Sequence, residues 1–363
     1  FLHNGTGPVN NSHYNGVYIL VERIKWGENR VNITKLGQGD NYEPEISGGY
    51  IIKSDRLNSG EQGMTTNTGT LFAFVRPNEE DATTEQKNWI LNYLNQFETT
   101  LYGPGFANPV TGYNAYIDVD SFIDHFLITE LFKEIDGYRL SSFLYKDRNN
   151  KLVMGPVWDF NLSLGNANYL NGWIPQGWYY PLLSGSDCYV SCGLRDWYVR
   201  LLEDPAYDQK MKYQWWQLRQ DLFSNDNFSE MINGFSELLA EAQVRNFNRW
   251  PVLGQYVWPN WFIGQTYQQE VDWMHNWLAE RLSWMDSQMG EPYVFPDYTL
   301  LHYWLFDNSL PNDTPIETIP PSYQVIENGM LQFHSALEGY PFNSSHPSWR
   351  KASMERRNAP TEI

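Results

Sequence analysis

The chain has 363 residues, enough for a sizeable hydrophobic core, and 43 Asp and Glu against 25 Lys and Arg give it a formal net charge of −18. An acidic surface repels phosphate backbones, and no apolar run approaches the roughly 18 residues of a membrane helix, so we expect neither a nucleic-acid partner nor membrane insertion. Aromatic residues make up 16% of the chain, which suits either a large aromatic core or a surface on which flat ligands stack.

The first part of the chain is predicted to be rich in β-strands. Three segments combine β-branched and aromatic residues and are followed by turn residues or proline, and these are residues 16–25, 48–55 and 70–77. The pattern changes after Thr83, where apolar residues recur at helical spacing up to Leu101. Thr83 and Gln86 have the spacing of a capping box, so we expect a helix to begin there.

A second helix is predicted to begin near Asp118. Its apolar stripe continues to Ile135, which places Asp136 at the end of the helix. The next residues predict a hairpin with strands at 143–146 and 151–154 and a turn between them. Because a tight hairpin reverses the chain, it returns Asp159 toward Asp136, and the two carboxylates are compatible with one site.

The remainder of the chain is predicted to be helical and then proline-punctuated. Apolar periodicity indicates helices at residues 218–223, 228–247 and 266–289. The composition then shifts, and four prolines fall between residues 311 and 321, as in a linker or an extended wrap. We therefore expect one domain over residues 1–290 and an extension, or the start of a further domain, over residues 291–363.

Two cysteines, Cys188 and Cys192, lie four positions apart. This spacing matches neither a zinc knuckle nor a thioredoxin motif, and no second Cys or His pair lies nearby to complete a zinc site. A local disulfide is the favoured interpretation, and it would imply an oxidising compartment. Two buried free thiols are the alternative.

Four motifs, in a fixed order, resemble those of the CotH family of atypical kinases, the type of spore-coat protein H. They are GVYILVERIK, GGYIIKSD, DVDSFIDHFLITELFKEIDGYRLSSFLYKD and KLVMGPVWDFNLSLGN. The resemblance covers residues 1–289 and implies an α+β, atypical protein-kinase-like fold. In that fold a strand-rich N-terminal lobe, here truncated at its start, precedes a mainly helical C-terminal lobe.

The resemblance implies roles for particular residues, with ATP and Mg²⁺ or Mn²⁺ as cofactors. Phosphoryl transfer needs an acid that orients the nucleophile, a carboxylate that holds the metal and a cation that neutralises the phosphates. Asp136 matches the catalytic aspartate of the family, and Asp159 matches its metal-binding aspartate. Lys53 is the candidate phosphate-binding lysine, and Glu22 is a candidate for orienting that lysine or the metal.

Two positions depart from the pattern of the family. Ser141 stands where members commonly carry an asparagine five residues after the catalytic aspartate, and Asn161 replaces a second acid after the tryptophan. Mg²⁺ prefers hard oxygen ligands and accepts neutral ones, so both residues remain candidate metal ligands in a weakened set.

Several interpretations stay open at this point. Asp136 and Asp159 can be structural, with Asp136 in a helix-terminal turn before Gly137 and Asp159 bonded to backbone amides. The first functional hypothesis is a kinase that phosphorylates Ser or Thr of a secreted or surface protein. The second is a catalytically impaired, kinase-like binding or assembly module, and the third is a carbohydrate-active enzyme with two carboxylates. The excess of acidic residues, the expected disulfide and the export typical of the family that the chain resembles together favour an extracellular or cell-surface location.

Overall fold

The computed structural model describes residues 5–188 and 192–291, together with the strands Tyr323–Ile326 and Met330–Phe333. The chain divides into two units, Phe1–Tyr293 and Val294–Ile363. Across the described residues, no helix is both long and apolar enough to cross a membrane.

The first unit contains a five-stranded antiparallel sheet with the strand order β2-β3-β1-β4-β5. Its strands are β1 (Tyr50–Ser54), β2 (Met64–Thr65), β3 (Leu71–Arg76), β4 (Ser142–Lys146) and β5 (Leu152–Met154). The predicted hairpin is confirmed as β4 and β5. Two helices precede it in the chain after β3, and β4 pairs with β1. Lys53 of β1 lies opposite Phe143, and Ser54 lies opposite Ser142. The hairpin that follows Asp136 is therefore bonded to the strand that carries Lys53.

The strand predicted over residues 16–25 is wrong. In the structure these residues form no strand, and Ile19 and Leu20 are 86% and 100% exposed. Their β-branched and aromatic composition favours a strand only where a neighbouring strand supplies hydrogen-bond partners and a face to pack on. The nearest pairing is an isolated bridge between Trp26 and Val31.

Seven α-helices complete the described part of the first unit: α1 (Thr84–Leu101), α2 (Val119–Phe132), α3 (Gly193–Leu201), α4 (Pro205–Arg219), α5 (Asn225–Leu238), α6 (Ala240–Arg249) and α7 (Tyr267–Met289). The capping box of α1 is confirmed, since the side chain of Thr83 accepts from the N–H of Gln86 and the side chain of Gln86 accepts in return. The structure also confirms α7 to within one residue of its predicted start.

Two helix predictions need correction. Of the helix predicted over residues 218–223, only the first two residues are helical, because α4 begins at Pro205 and ends at Arg219. The helix predicted over residues 228–247 is two helices, α5 and α6, which meet at Leu239. The helix α3 was not predicted from the sequence.

The core of the first unit lies where α1, α2, α3 and α7 meet the sheet. Many of the aromatic residues lie in this core. Examples that are fully buried are Trp197, Trp215, Tyr138 and Tyr198. The structure thus supports the large aromatic core as the main reason for the aromatic composition.

The Cys188–Cys192 disulfide is present, with the two Cα atoms 5.0 Å apart, immediately before α3. In the second unit, β6 (Tyr323–Ile326) pairs antiparallel with β7 (Met330–Phe333). The proline-punctuated stretch predicted before β6 lies outside the described residues.

Candidate active site

Asp136 lies in a turn just beyond α2. The helix ends at Phe132, three residues earlier than its apolar stripe predicts, because Lys133 adopts a left-handed conformation with φ 48°. The backbone oxygen of Asp136 then accepts from the N–H groups of Arg139 and Leu140 at 3.0 and 2.7 Å. These bonds close the turn and fix the backbone of Asp136.

A buried ion pair anchors the end of α2. Glu130 and Arg281 are both fully buried, and Nη2 of Arg281 lies 3.1 Å from Oε2 of Glu130. Burial raises the pKa of Glu130, and the charge of Arg281 opposes that shift. Arg281 also donates to the carbonyl oxygens of Pro175 and Gly177, both at 2.8 Å. The pair therefore ties α2 to α7 and to the loop that follows the site.

The carboxylate of Asp136 is held by Arg139. Nη2 of Arg139 donates to Oδ1 of Asp136 at 2.8 Å, and the same guanidinium donates to the carbonyl oxygens of Ile135 and Asp187. Burial raises the pKa of Asp136, Arg139 and Arg56 lower it, and Asp159 raises it further. With its side chain 19% exposed, Asp136 is oriented by the arginine and still reaches solvent.

Asp159 lies near enough to Asp136 to influence its ionisation. It has a left-handed backbone, φ 62°, at the start of the short helical turn Phe160–Leu162, and its side chain caps no backbone N–H of that turn. Its charge contributes to the raised pKa values of both Asp136 and Glu134. The two predicted aspartates are therefore close enough to interact electrostatically.

Glu134 is a third carboxylate near Asp136, and it was not among the residues predicted from the sequence. It is fully buried, and its Oε1 accepts from the N–H of Asp136 at 3.2 Å. Burial, with the charges of Asp136 and Asp159, raises the pKa of Glu134 to about 8. Among the described residues its Oε2 has no hydrogen-bond partner. The sequence does contain a signal for this residue, because Glu134 lies two positions before Asp136 among apolar residues. Glutamates are rarely buried in such surroundings without a partner.

Asn161 contacts Asp159 through its side-chain amide. With its amide nitrogen facing Asp159, it donates to the backbone oxygen at 3.0 Å and to Oδ1 at 3.1 Å. A cation bound through Oδ1 of Asn161 requires this amide to turn. Ser141, with φ 52°, directly precedes β4, and no contact joins it to either aspartate in the described structure.

The oxygen-rich site is chemically suited to a hard cation. The described residues contain no group of three or more His, Cys, Asp or Glu arranged to hold a metal ion. However, the charge of Asp159 contributes to the raised pKa values of Asp136 and Glu134, and one carboxylate oxygen of the buried Glu134 is unpartnered among the described residues. A divalent cation relieves repulsion of this kind, and carboxylate and amide oxygens are the ligands Mg²⁺ prefers.

Lys53 lies in a cavity next to this acidic site. Its Nζ is 3.7 Å from Oε2 of Glu61, a carboxylate that also accepts two hydrogen bonds from Asn58. Glu22 does not reach Lys53, because its exposed side chain pairs with Arg30 at 2.6 Å. The structure thus gives Lys53 a different carboxylate partner from the one expected.

The cavity around Lys53 has a volume of about 360 Å³. Its lining includes Arg23, Lys53, Glu61, Arg76, Phe143 and Trp158. Trp158 directly precedes Asp159 and contacts Phe143 edge-on, with ring centroids 6.2 Å apart. The backbone therefore connects one wall of the cavity directly to Asp159.

A stacked aromatic pair lies beside Arg139. The guanidinium of Arg139 sits 5.8 Å from the centre of the Tyr169 ring, and Tyr169 stacks on Trp258 with centroids 6.2 Å apart. Trp258 is 69% exposed and Trp261 is 46% exposed. Part of the aromatic content is thus at the surface, close to the candidate site.

A comparison with protein-family models gives one match over most of the chain. The family described as CotH kinase protein matches residues 8–285. A search of curated proteins finds no match.

Proposed function

Because the chain belongs to the CotH kinase protein family, we propose that it is an atypical protein kinase of a secreted or surface setting. In this proposal it transfers the γ-phosphate of ATP to Ser or Thr of an extracellular or cell-surface protein, with Mg²⁺ or Mn²⁺. The observation that carries the proposal is the convergence of Asp136 and Asp159 beside the cavity that holds Lys53. Phosphoryl transfer requires an acid, a metal-binding carboxylate and a fixed cation in one place.

Asp136 is assigned to the acceptor hydroxyl. Its backbone is fixed by the turn after α2, and Arg139 orients its carboxylate while leaving it partly exposed. Burial raises its pKa, which strengthens the carboxylate as a proton acceptor. Asp136 therefore has the position and the proton affinity to orient and deprotonate a hydroxyl.

Asp159 is assigned to the metal, with Asn161 and Ser141 as neutral candidate ligands. A bound Mg²⁺ or Mn²⁺ would neutralise the phosphates during transfer. The side chain of Asp159 caps no backbone N–H in its turn, so its charge is available for a cation. Lys53, paired with Glu61, is assigned to the phosphates.

One observation favours a second function, a kinase-like binding or assembly module without turnover. Oδ1 of Asp136 is already bonded to Arg139, which is almost fully buried and cannot easily withdraw. Ser141 and Asn161 also supply weaker ligands than the family pattern. In this alternative the site binds nucleotide without transferring phosphate.

The carbohydrate-active alternative is supported by the aromatic pair beside Arg139. Tyr169 and Trp258 form a stacked pair whose outer ring faces solvent, a surface on which sugars can pack. Glycoside hydrolysis also uses two carboxylates.

Transfer of label from γ-labelled ATP tests the proposal. With Mg²⁺ or Mn²⁺, label should appear on casein or on the protein itself, and Asp136→Ala and Asp159→Ala should abolish it. Arg245→Gln, in an exposed pair on α6, is the matched control and should transfer label normally. Absence of label with either metal overturns the kinase proposal.

Two further readouts separate the alternatives. If Mg-ATP raises the melting temperature while no phosphate moves, the binding module is the correct function. Release of reducing sugar from a polysaccharide panel, lost in the same two aspartate variants, would identify the carbohydrate-active enzyme.

A further inference from the structure

Three cations from separate segments line the cavity beside the acidic site. Arg23 lies in the irregular N-terminal segment, Lys53 on β1 and Arg76 at the end of β3. We call this the cationic cavity. Such a concentration of positive groups is unexpected in a chain with a formal net charge of −18.

The two arginines of the cationic cavity lack carboxylate partners at hydrogen-bond distance. Arg76 donates to two neutral groups, the carbonyl oxygen of Val75 and Oδ1 of Asn78. In the part of the chain that the structure describes, Arg23 has no ion pair. Two carboxylates, Asp55 and Glu61, also lie on the lining. Glu61 is paired with Lys53, and Asp55 forms no ion pair with either arginine among the described residues.

The two arginines also repel each other. Burial lowers the pKa of Arg76, the nearby charge of Arg23 lowers it further, and Asp81 opposes both effects. Like charges held together around a cavity favour a bound anion, because the anion offsets their repulsion and accepts their hydrogen bonds. Arginine is well suited to this role, since its planar donors match the oxygens of a phosphate group.

Part of the cavity wall is aromatic. Phe74, Phe143 and Trp158 lie on the same lining as the cations. A ligand that fills this space therefore combines a flat apolar part with an anionic part. A nucleoside polyphosphate has this chemistry.

We propose that Arg23 and Arg76 bind the phosphate oxygens of the nucleotide together with Lys53. This inference rests on the proposed function for the identity of the ligand, and on the cationic cavity for the residues. It adds two phosphate-binding residues that sequence motifs did not indicate. It also gives a role to the segment around Arg23, which forms no strand and yet lines the cavity.

Calorimetric titration of the full chain with Mg-ATP, inorganic tripolyphosphate and adenosine tests the inference. Arg23→Gln and Arg76→Gln should each weaken binding of Mg-ATP and of tripolyphosphate about tenfold or more, as expected for the loss of a charge-assisted hydrogen bond. Adenosine binding should stay within about twofold, because adenosine has no phosphate. Arg245→Gln, which removes an exposed arginine outside the cavity, should change none of the three affinities.

Because Arg76 also bonds Asn78, Arg76→Lys is measured beside Arg76→Gln. Recovery of part of the tripolyphosphate affinity in Arg76→Lys supports a charge contact, since lysine also binds phosphate as a point charge. No recovery overturns the role of Arg76. Wild-type affinity in both glutamine variants, or an equal loss for adenosine, overturns the inference as a whole.

The outcomes separate this inference from the proposed function. If the wild type transfers phosphate and both glutamine variants keep its affinities, the kinase proposal is supported. The proposed role of the two arginines is then overturned. Tripolyphosphate binding that depends on both arginines, with no phosphate transfer, supports the cationic cavity and overturns the kinase. Failure of the wild type to bind either phosphate ligand overturns both.

Discussion

Glu134 shows how a single buried residue can shape the candidate site. Its Oε1 accepts the N–H of Asp136, so it fixes the backbone of the proposed catalytic residue. Glu134→Ala leaves that N–H without its acceptor and should lower the free energy of unfolding by about 1–3 kcal/mol. Glu134→Gln keeps a carbonyl acceptor and should cost less. Urea unfolding measures both, and an equal loss in the two variants would refute this role.

The raised pKa of Glu134 also predicts a pH dependence. Because the pKa rises from 4.5 to about 8 on folding, the folded chain retains a proton that the unfolded chain releases over this interval. The stabilisation is complete below pH 4.5 and is lost as the pH rises through about 8. The stability of the wild type relative to Glu134→Gln should therefore fall as the pH rises through this interval, and a constant difference would count against burial of the carboxyl.

His125 predicts the opposite dependence. It is buried in α2 beside the hydroxyl of Tyr198, with 2.9 Å between Nδ1 and that oxygen, and burial lowers its pKa from 6.5 to about 4. Its contribution to stability is present above pH 6.5 and is lost as the pH falls through about 4. The stability of the wild type relative to His125→Gln should fall as the pH is lowered through this interval. Urea titrations across this pH interval measure the difference in stability between the two proteins. A constant difference would contradict the lowered pKa of His125.

At the scale of elements, the ion pair between α2 and α7 should be a main determinant of the geometry of the site. Glu130→Gln removes one charge of a fully buried pair and should lower the free energy of unfolding by about 3–5 kcal/mol, because Arg281 is left uncompensated. Glu241→Gln, in the exposed pair with Arg245 on α6, is the matched control and should cost less than about 1 kcal/mol. Similar losses in the two variants would show that the buried pair is not the anchor.

Regular elements were predictable where local signals and tertiary packing agree. The capping box gave the start of α1, and the hairpin of β4 and β5 followed from its turn residues. α4 also carried signals, since Asp204 caps it and Pro205 occupies its first position. Residues 16–25 were mispredicted because strand propensity is realised only beside a partner strand, which the fold does not supply.

At the scale of the whole molecule, the order of the motifs predicted the family and the α+β fold, and the family match confirms both. The predicted convergence of Asp136 with Asp159 relied on the hairpin between them. The partner of Lys53 was not predictable, because the choice between Glu22 and Glu61 depends on how two irregular segments pack. The burial of Glu134 likewise depends on contacts that form only in the folded chain.

The distribution of charge over the molecule explains how an acidic protein can bind a polyanionic nucleotide. The net charge of −18 is distributed over the chain, whereas Arg23, Lys53 and Arg76 converge on one cavity. Local charge within a partly enclosed site acts over short distances, and salt screens the more distant surface charges. Nucleotide binding is therefore compatible with the overall acidity.

Asp136 is proposed to act on the acceptor hydroxyl in phosphate transfer. The single-turnover rate of γ-phosphate transfer from Mg-ATP to casein, measured in the wild type and in Asp136→Asn, tests this role. Asparagine retains an oxygen that can accept from Arg139, so the fold and the affinity for Mg-ATP should change little. We expect the transfer rate to be at least about 100-fold lower in Asp136→Asn, which is the loss expected when a general base is missing. Transfer at the wild-type rate in that variant would contradict this role.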